Sequence, residues 1–170
     1  VIPGFENYNE RLKRPGGFML PHAVRERIFN TSDGKAQLTI NATDTIELGD
    51  QLLLTTVRSH DQYNTTLYGL DDRYRGVRGQ RDVLFANEAD ILRLGFKPGQ
   101  KVDIRSLWND GIERRVNGFT LLAFDIPAGQ AAAYFPEANP LVPLESAGVG
   151  SSTPTSKFVA IRLQAASNGN

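Results

Sequence analysis

Residues 83–111 read VLFANEADILRLGFKPGQKVDIRSLWNDG, and this stretch carries most of the local signals that decide the fold. A short apolar run is followed by a helical segment from Glu88 to Leu94, which Gly95 is expected to stop. Asn87 and Asp90 have the spacing of a helix N-cap and its reciprocal partner. A Pro-Gly turn and a strand come next, and the Asn-Asp-Gly turn predicts a hairpin. The stretch therefore predicts strands joined by tight turns, with one short helix.

Short strand patterns recur on both sides of this stretch, each bounded by turn residues. The predicted strands are KAQLTIN (35–41), LLLTTVR (52–58), VLFAN (83–87), KVDIRSLW (101–108), IERRVNGFTLLAF (112–124), AAAYF (131–135) and KFVAIRLQ (157–164). In the first, Ala36, Leu38 and Ile40 alternate with polar residues as in a half-buried strand. Many short strands with one or two brief helices favour a mainly β fold, a small β-barrel, over a parallel α/β sheet.

The N-terminal residues have a different character. Proline and glycine recur through residues 1–21, which predicts an extended arm without long regular structure. The segment PHAVRERIF (21–29) predicts a short helix that begins at a proline. We therefore predict an arm with a short helix over 1–30, a barrel over 31–164 and a disordered polar tail over 165–170.

Composition limits the possible functions. The chain has 170 residues, 40% of them hydrophobic, and its 19 basic and 19 acidic side chains give a net charge of zero. Such a chain fits one core of ordinary size, and its charge does not favour nucleic acid or a lipid surface as partner. Cysteine is absent and only two histidines occur, which argues against a metal site or an iron–sulfur cluster within the chain. Any anion binding must therefore be local.

The sequence also carries signals about cellular context. No segment approaches the roughly 20 consecutive apolar residues of a membrane helix, and the N-terminus lacks the pattern of a secretory signal. These features predict a cytoplasmic protein without membrane insertion. The chain begins with Val1 and its single methionine is Met19, so we expect it to be a piece of a longer polypeptide.

The segment LLLTTVRSHDQYNTTLYG (52–69) is the strongest functional signal, because an apolar strand ends in a dense cluster of hydrogen-bonding side chains. The polar residues of this segment are Thr55, Thr56, Arg58, Ser59, His60, Asp61, Gln62, Asn64, Thr65 and Thr66. Strands that end in this way usually present a polar ligand site.

Four motifs in order resemble a known family: TTVR followed by QYN, then ANEADILRLGFKPGQKVDI, PEANPL and SKFVAIRL. The sequence resembles the C-terminal molybdopterin dinucleotide-binding domain of molybdenum or tungsten oxidoreductases, in the formate dehydrogenase and dimethyl sulfoxide reductase superfamily. The similarity runs from about Lys35 to Leu163. The N-terminal arm and the RSHDQYNTT segment are most similar to the formate-dehydrogenase-like subgroup linked to acid resistance.

The resemblance implies a double-psi β-barrel that covers one side of a bis-(molybdopterin guanine dinucleotide) cofactor carrying molybdenum or tungsten. In this family the metal ligand and the iron–sulfur cluster belong to other domains. The resemblance therefore implies that the partners are the iron–sulfur and pterin-binding domains of the same polypeptide. It also implies no metal ligand and no catalytic residue in this chain, which alone should be inactive.

The resemblance also implies roles for particular residues. Thr56 and Arg58 match the Thr-x-Arg that faces the cofactor, and the planar fork of an arginine suits a pyrophosphate or pterin oxygen. Asn139 matches an asparagine whose amide can read the edge of guanine or the pterin, and Lys157 a lysine that precedes the last strand. Gln62 stands where some relatives carry histidine, so it can form hydrogen bonds but cannot titrate.

The predicted cofactor-binding residues are Thr56, Arg58, Ser59, His60, Gln62, Tyr63, Asn64, Asn139 and Lys157. Structural alternatives remain for several of these residues. Arg58 could form a surface ion pair, Asn139 a simple Asn-Pro turn, and His60 and Lys157 could be solvated polar residues. Tyr134 and Phe135, outside the predicted site, are expected to pack in the core.

Two alternative functions are compatible with a barrel of this kind. Some proteins with this barrel are self-processing pyruvoyl decarboxylases that are cleaved at a Gly-Ser bond, and Gly150-Ser151 is such a bond, although it lies near the C-terminus. Other such barrels are protein-binding adaptors, which would require an exposed apolar groove. The polar loop after residue 55 favours a small-molecule ligand over the adaptor alternative.

Overall fold

The computed structural model describes residues 4–42, 46–64 and 67–167. The chain divides into two compact units, residues 1–45 and 46–170. The predicted boundaries at 30/31 and 164/165 remain predictions. Thr65 and Thr66 of the polar loop lie outside the described residues, as do 168–170 of the predicted tail.

The described residues of the N-terminal unit form two short helices, α1 (Tyr8–Leu12) and α2 (Ala23–Glu26), neither with a buried residue. The second begins two residues after the predicted proline start, because His22 is its N-cap and its Nδ1 accepts a hydrogen bond of 3.1 Å from the Arg25 N–H. Next to α1, the rings of Tyr8 and Phe18 pack edge to face with their centres 5.6 Å apart. Local contacts of this kind organise the unit.

The strand predicted over 35–41 is absent from this described part of the unit, and the prediction was wrong. Leu38 and Ile40 are 95% and 102% exposed, so the alternation of apolar residues buries no face. A strand is stabilised by pairing with a neighbour, and no other strand lies within the described residues of this unit to pair with it. The alternation of apolar and polar residues alone was therefore not sufficient to predict a strand.

Within its described residues, the second unit contains six strands and three short helical segments. The strands are β1 (Leu52–Val57), β2 (Val83–Ala86), β3 (Lys101–Ser106), β4 (Arg115–Ala123), β5 (Gln130–Tyr134) and β6 (Val159–Ala165). The helical segments are α3 (Glu88–Arg93), α4 (Phe135–Ala138) and a 3₁₀ turn at Asn139–Leu141. Six of the seven predicted strands are confirmed, whereas α4 was not predicted.

The six strands close into one barrel in the order β1-β5-β2-β4-β3-β6. Two neighbouring pairs are parallel, β1 with β5 and β2 with β4, and the others are antiparallel. The predicted hairpin is confirmed as β3 and β4. Closure leaves no exposed sheet edge among these six described strands. The architecture is mainly β with few short helices, as expected for a double-psi β-barrel.

The barrel interior is filled by the apolar side chains that alternate along the strands. Leu52 and Leu54 of β1 and Ile104 of β3 are at most 1% exposed, and they pack with Leu121 and Ile161. The predicted inward direction of Val102 and Ile104 is confirmed, while Leu107 is only partly buried. Burial of this apolar surface is the main contribution to the stability of the barrel.

Helix α3 is capped as predicted at one residue and not at the other. The side chain of Asn87 accepts a hydrogen bond of 3.0 Å from the Ala89 N–H, and Gly95 follows the helix with a φ of 82°. Asp90 is not the reciprocal partner, because its carboxylate accepts from the Gly129 N–H at 2.5 Å and from Arg93 at 2.8 Å. The buried Asp90 therefore anchors the loop before β5.

The end of the chain is in contact with the barrel as far as it is described. Ala165, the first residue of the predicted disordered tail, is the last residue of β6. Ser167 donates a backbone hydrogen bond of 3.2 Å to Asp103 of β3. These two residues are held because β6 pairs with β3 up to Ala165.

Candidate functional site

A cavity of about 330 Å³ lies at the C-terminal end of β1. Three chain segments line it: the end of β1, the segment formed by α4 and the turn after it, and the loop before β6. The lining residues are Thr56, Val57, Arg58, Phe135, Asn139, Val142, Pro154, Ser156 and Lys157. Four of the nine predicted cofactor-binding residues therefore meet here, although they are spread over a hundred positions of sequence.

Parallel pairing of β1 with β5 brings the first two segments together. Val57 lies opposite Tyr134 in the register, so both strands end at the same edge of the barrel. The residues that follow, Arg58 and Phe135, both enter the cavity wall. The prediction that Phe135 packs in the core is therefore correct only in part, since it is half-buried at this wall.

The loop before β6 is fastened to β1 by three hydrogen bonds. The Thr56 N–H donates to the Ser156 carbonyl at 3.0 Å, and the Thr55 hydroxyl donates to the Lys157 carbonyl, also at 3.0 Å. The Lys157 ammonium in turn donates to the Thr56 carbonyl. An ammonium has three hydrogen-bond donors, and within the described chain Lys157 uses one of them. The other two donors of Lys157 are available to a ligand.

The cavity is locally cationic in a chain with no net charge. Arg58 and Lys157 bring two positive charges, and none of the described lining residues carries a carboxylate. The Arg58 guanidinium and the Asn139 amide are exposed, and neither side chain forms a hydrogen bond with another described residue. Free donors without a neighbouring acid are suited to an anionic ligand with hydrogen-bonding edges.

The loop residues after Arg58 are placed in different environments. Ser59 and Gln62 are buried, and both accept hydrogen bonds from Arg81, at 3.0 Å and 3.3 Å. Tyr63 is 75% exposed, and the exposed Asn64 has a φ of 61° in the turn that follows. The predicted set therefore divides into cavity residues, residues buried behind the wall, and exposed loop residues.

His60 has a partner that the sequence did not reveal. Its Nδ1 lies 3.2 Å from an Asp72 carboxylate oxygen, and its ring packs on Tyr74 with centres 4.6 Å apart. The buried Asp72 also accepts from Arg75 at 2.6 Å and from the Tyr134 hydroxyl at 2.9 Å. Burial opposes ionisation of Asp72, but the hydrogen bonds from Arg75 and Tyr134 outweigh it and lower its pKa. His60 is thus the partly exposed member of a hydrogen-bond network centred on the buried Asp72.

Sequence reasoning also missed Arg81 and Glu137. Arg81 is only 4% exposed and its Nε donates to a Glu137 carboxylate oxygen at 2.7 Å. The one signal in the sequence was an arginine two positions before the apolar strand VLFA, in the segment RGQRDVLFA. A charged residue at the start of a buried strand needs a partner, and only the fold could identify that partner.

Outside this cavity the described residues provide other features but no metal site. No group of three or more histidine, aspartate or glutamate side chains there could hold a metal ion, and no helix of that part is long and apolar enough to cross a membrane. A second cavity, of about 300 Å³, is mainly apolar and includes Trp108, Phe158 and the buried Ser106.

Known proteins resemble this chain in sequence. Residues 52–164 match the model of the molydopterin dinucleotide binding domain family, which is more than half of the chain. The uncharacterized oxidoreductase Rv2900c of Mycobacterium tuberculosis is 49% identical, and protein YdeP of Escherichia coli is 40% identical. Each comparison covers 96% of this chain but 22% of the relative, so the chain spans about a fifth of their length.

Proposed function

The chain belongs to the molydopterin dinucleotide binding domain family, and on that premise we propose that it is the cofactor-binding module of a larger molybdenum-dependent oxidoreductase. The observation that supports the proposal best is the cationic cavity at the end of β1. Two positive charges and a free amide converge there without a carboxylate among the described lining residues. A dinucleotide offers the matching chemistry, a pyrophosphate with hydrogen-bonding rings attached to it.

Arg58 and Lys157 would hold the anionic part of the cofactor. The guanidinium of Arg58 can donate two parallel hydrogen bonds to a phosphate, and its exposed position leaves both available. Lys157 supplies a second charge, while its bond to the Thr56 carbonyl fixes where that charge lies. A site of this design selects anions by charge and orients them by the arginine fork.

Asn139 would read a ring edge, because its amide offers both a donor and an acceptor. The neighbouring Phe135 and Val142 provide apolar contact for the flat face of a ring. Thr56 is 3% exposed, so it would contribute to the shape of the cavity wall and have little surface for direct contact with the cofactor. Tyr63 and Asn64 stay predicted contacts from the exposed loop.

Several finer predictions belong to the same proposal. When bound, the cofactor supplies the redox chemistry through its metal, and this chain contributes binding and orientation. A bis-(molybdopterin guanine dinucleotide) with molybdenum or tungsten, a formate-dehydrogenase-like parent enzyme and a cytoplasmic location remain predictions from the resemblance and the sequence. So do the iron–sulfur and pterin-binding domains as partners within one polypeptide, and the inactivity of the chain alone.

The test uses Arg58→Ala and Asn139→Ala in the full-length oxidoreductase. Loss of a charge-assisted hydrogen-bond donor should lower cofactor occupancy by about tenfold for Arg58, and by less for Asn139. Occupancy is measured as metal by mass spectrometry and as guanine nucleotide released by acid hydrolysis. Arg105→Ala is the matched control, since Arg105 is exposed on β3 and its side chain bonds to no other described residue. Equal occupancy in all variants would refute the proposal.

The adaptor alternative draws on the apolar cavity that includes Trp108 and Phe158, which are 45% and 55% exposed. An adaptor would use such a surface for a partner protein and would not need the cationic cavity. Trp108→Ala with unchanged cofactor occupancy, alongside Arg58→Ala with reduced occupancy, distinguishes the two functions. The decarboxylase alternative requires cleavage at Gly150-Ser151, which an intact-mass measurement of the purified chain tests directly.

A further inference from the structure

One buried guanidinium lies behind two walls of the cationic cavity. Arg81 lies two residues before the start of β2, and it is 4% exposed. Burying an unpaired arginine is strongly unfavourable, so its position requires that its donors be matched by acceptors nearby. Most of those acceptors come from two segments that are far apart in sequence, and the Gly69 carbonyl accepts one further bond at 3.3 Å.

The first segment is the loop that follows Arg58, here called the Arg58 wall (residues 58–62). One terminal nitrogen of Arg81 donates to the Ser59 hydroxyl at 3.0 Å, and the other donates to the Gln62 side-chain oxygen at 3.3 Å. That same oxygen lies 3.4 Å from the Ser59 N–H, and the Gln62 N–H donates to the Ser59 carbonyl at 3.1 Å. The Arg58 wall is therefore folded around the guanidinium.

The second segment is α4 and the turn after it, here called the Asn139 wall (residues 135–142). The Arg81 Nε donates to Glu137 at 2.7 Å, and Glu137 lies between Phe135 and Asn139, which both line the cavity. Arg81 is thus hydrogen bonded to both walls through different nitrogens of one rigid group.

Aromatic rings fix the plane of that group. The guanidinium carbon lies 4.0 Å from the centre of the Tyr68 ring and 4.5 Å from that of Tyr134, the last residue of β5. Stacking on ring faces is favourable for a guanidinium and holds it in one orientation. A lysine at this position would keep the charge but could not present three fixed donors.

We propose that Arg81 is a positioning residue, which holds the Arg58 wall and the Asn139 wall at a fixed separation so that both reach the same ligand. This inference rests on the proposed function for the ligand, but the coupling of the two walls does not. Arg81 itself is not among the cavity lining. Its effect on binding is therefore expected to pass through Arg58 and Asn139.

The experiment compares Arg81→Lys with Arg115→Lys, which alters an arginine paired with a carboxylate elsewhere in the barrel, that of the buried Asp103. Hydrogen exchange of the 170-residue chain reports on each wall, through the Gln62 amide bonded to Ser59 and the Val142 amide bonded to Asn139. We expect Arg81→Lys to speed exchange about tenfold at both amides, with β3 and β6 unchanged. Arg115→Lys should leave both walls unchanged.

The second readout is cofactor occupancy of the full-length oxidoreductase, which should fall in Arg81→Lys as it does in Arg58→Ala. Faster exchange at only one wall, or equally throughout the barrel, would overturn the positioning role. Unchanged occupancy in Arg81→Lys, when Arg58→Ala has lost cofactor, would also overturn the positioning role. If Arg58→Ala also keeps its cofactor, the proposed function fails, and the inference about the ligand fails with it.

A second variant covers the case in which Arg81→Lys does not fold. Glu137→Gln keeps an acceptor facing Arg81 and removes the negative charge that strengthens the bond. It should speed exchange at Val142 while Gln62 stays protected, and it should lower occupancy by about threefold, less than Arg58→Ala. No change at Val142 in a folded Glu137→Gln would contradict the proposal.

Discussion

Two charged clusters of the barrel unit differ in how their charges are satisfied. Asp103 of β3 is 2% exposed and accepts hydrogen bonds from Arg115, from the Gly118 N–H at 2.9 Å and from Ser167. In the cationic cavity, Arg58 has no hydrogen-bond partner for its side chain in the described chain. A cluster that satisfies itself stabilises the fold, whereas a cluster left with free donors is available to a ligand.

The Asp103 cluster also shows why its acid stays charged. The hydrogen bond from Arg115 lowers the pKa of Asp103 to about 2, against the opposing effect of burial, and the Gly118 and Ser167 amides add to the shift. Gly118 has a φ of 71°, a backbone conformation that glycine adopts without strain. The cluster is thus built into the backbone of the β3–β4 hairpin.

The largest expected effect is on stability, from Arg115→Ala. Removing the cation leaves Asp103 as a buried charge with only neutral donors, which should cost about 2–4 kcal/mol in the free energy of unfolding. Urea denaturation measures this cost, and Arg105→Ala, the cross-strand neighbour of Arg115, is the control. Cofactor occupancy of folded Arg115→Ala should match that of the wild type. A stability change no larger than that of the control would contradict this division of roles.

Arg58→Ala should show the reverse pattern. Its exposed side chain has no described partner to lose, so the free energy of unfolding should change by at most about 0.5 kcal/mol. Occupancy in the full-length protein should fall by about tenfold. A destabilisation as large as that of Arg115→Ala would show that Arg58 is structural, and the comparison between the clusters would fail.

A smaller effect is expected from acid. Since the pKa of Asp103 is about 2 in the folded chain and has an ordinary value of 3.8, its contribution to stability is complete above the ordinary value. The contribution is lost as pH falls from there through the folded value. Between pH 5 and pH 2, Asp103→Asn should therefore lose less stability than the wild type, as followed by urea midpoints. Parallel curves would show that Asp103 is not a source of acid sensitivity.

The smallest effects are expected from Lys157→Met, because Lys157 takes part both in a structural hydrogen bond and in the lining of the cavity. It bonds to the Thr56 carbonyl and also lines the cavity, so we expect losses of about 1 kcal/mol in stability and about threefold in occupancy. Urea denaturation and metal content measure the two. A loss of stability alone would show that Lys157 is purely structural, and a loss of occupancy alone would show that it acts only on the ligand.

The sequence predicted what depends on neighbours along the chain. Helix α3 follows from its cap at Asn87, and the β3–β4 hairpin follows from its turn. The strand order around the barrel is not local, and it came only from the family resemblance. KAQLTIN shows the limit, since alternation does not reveal whether a pairing strand exists.

Part of the lining of the candidate cavity was also predicted from sequence, while its role in cofactor binding stays a prediction. Arg58 and Asn139 were assigned by motif, and the structure places both at one cavity. The role of Arg81 was not predicted, because the sequence alone does not show whether an arginine will be buried. Its acceptors, Ser59 and Glu137, lie 22 and 56 positions away, which no local pattern connects.

The closure of the cavity by the loop before β6 has a consequence for folding order. The hydrogen bond between Thr55 and Lys157 joins residues 102 positions apart, so the cavity depends on contacts of very high sequence separation. Such contacts form late and slowly, because the entropy of the long intervening loop must be lost first. During translation, the cavity therefore cannot form until Lys157 has left the ribosome, and cofactor capture by this module follows synthesis of the whole barrel.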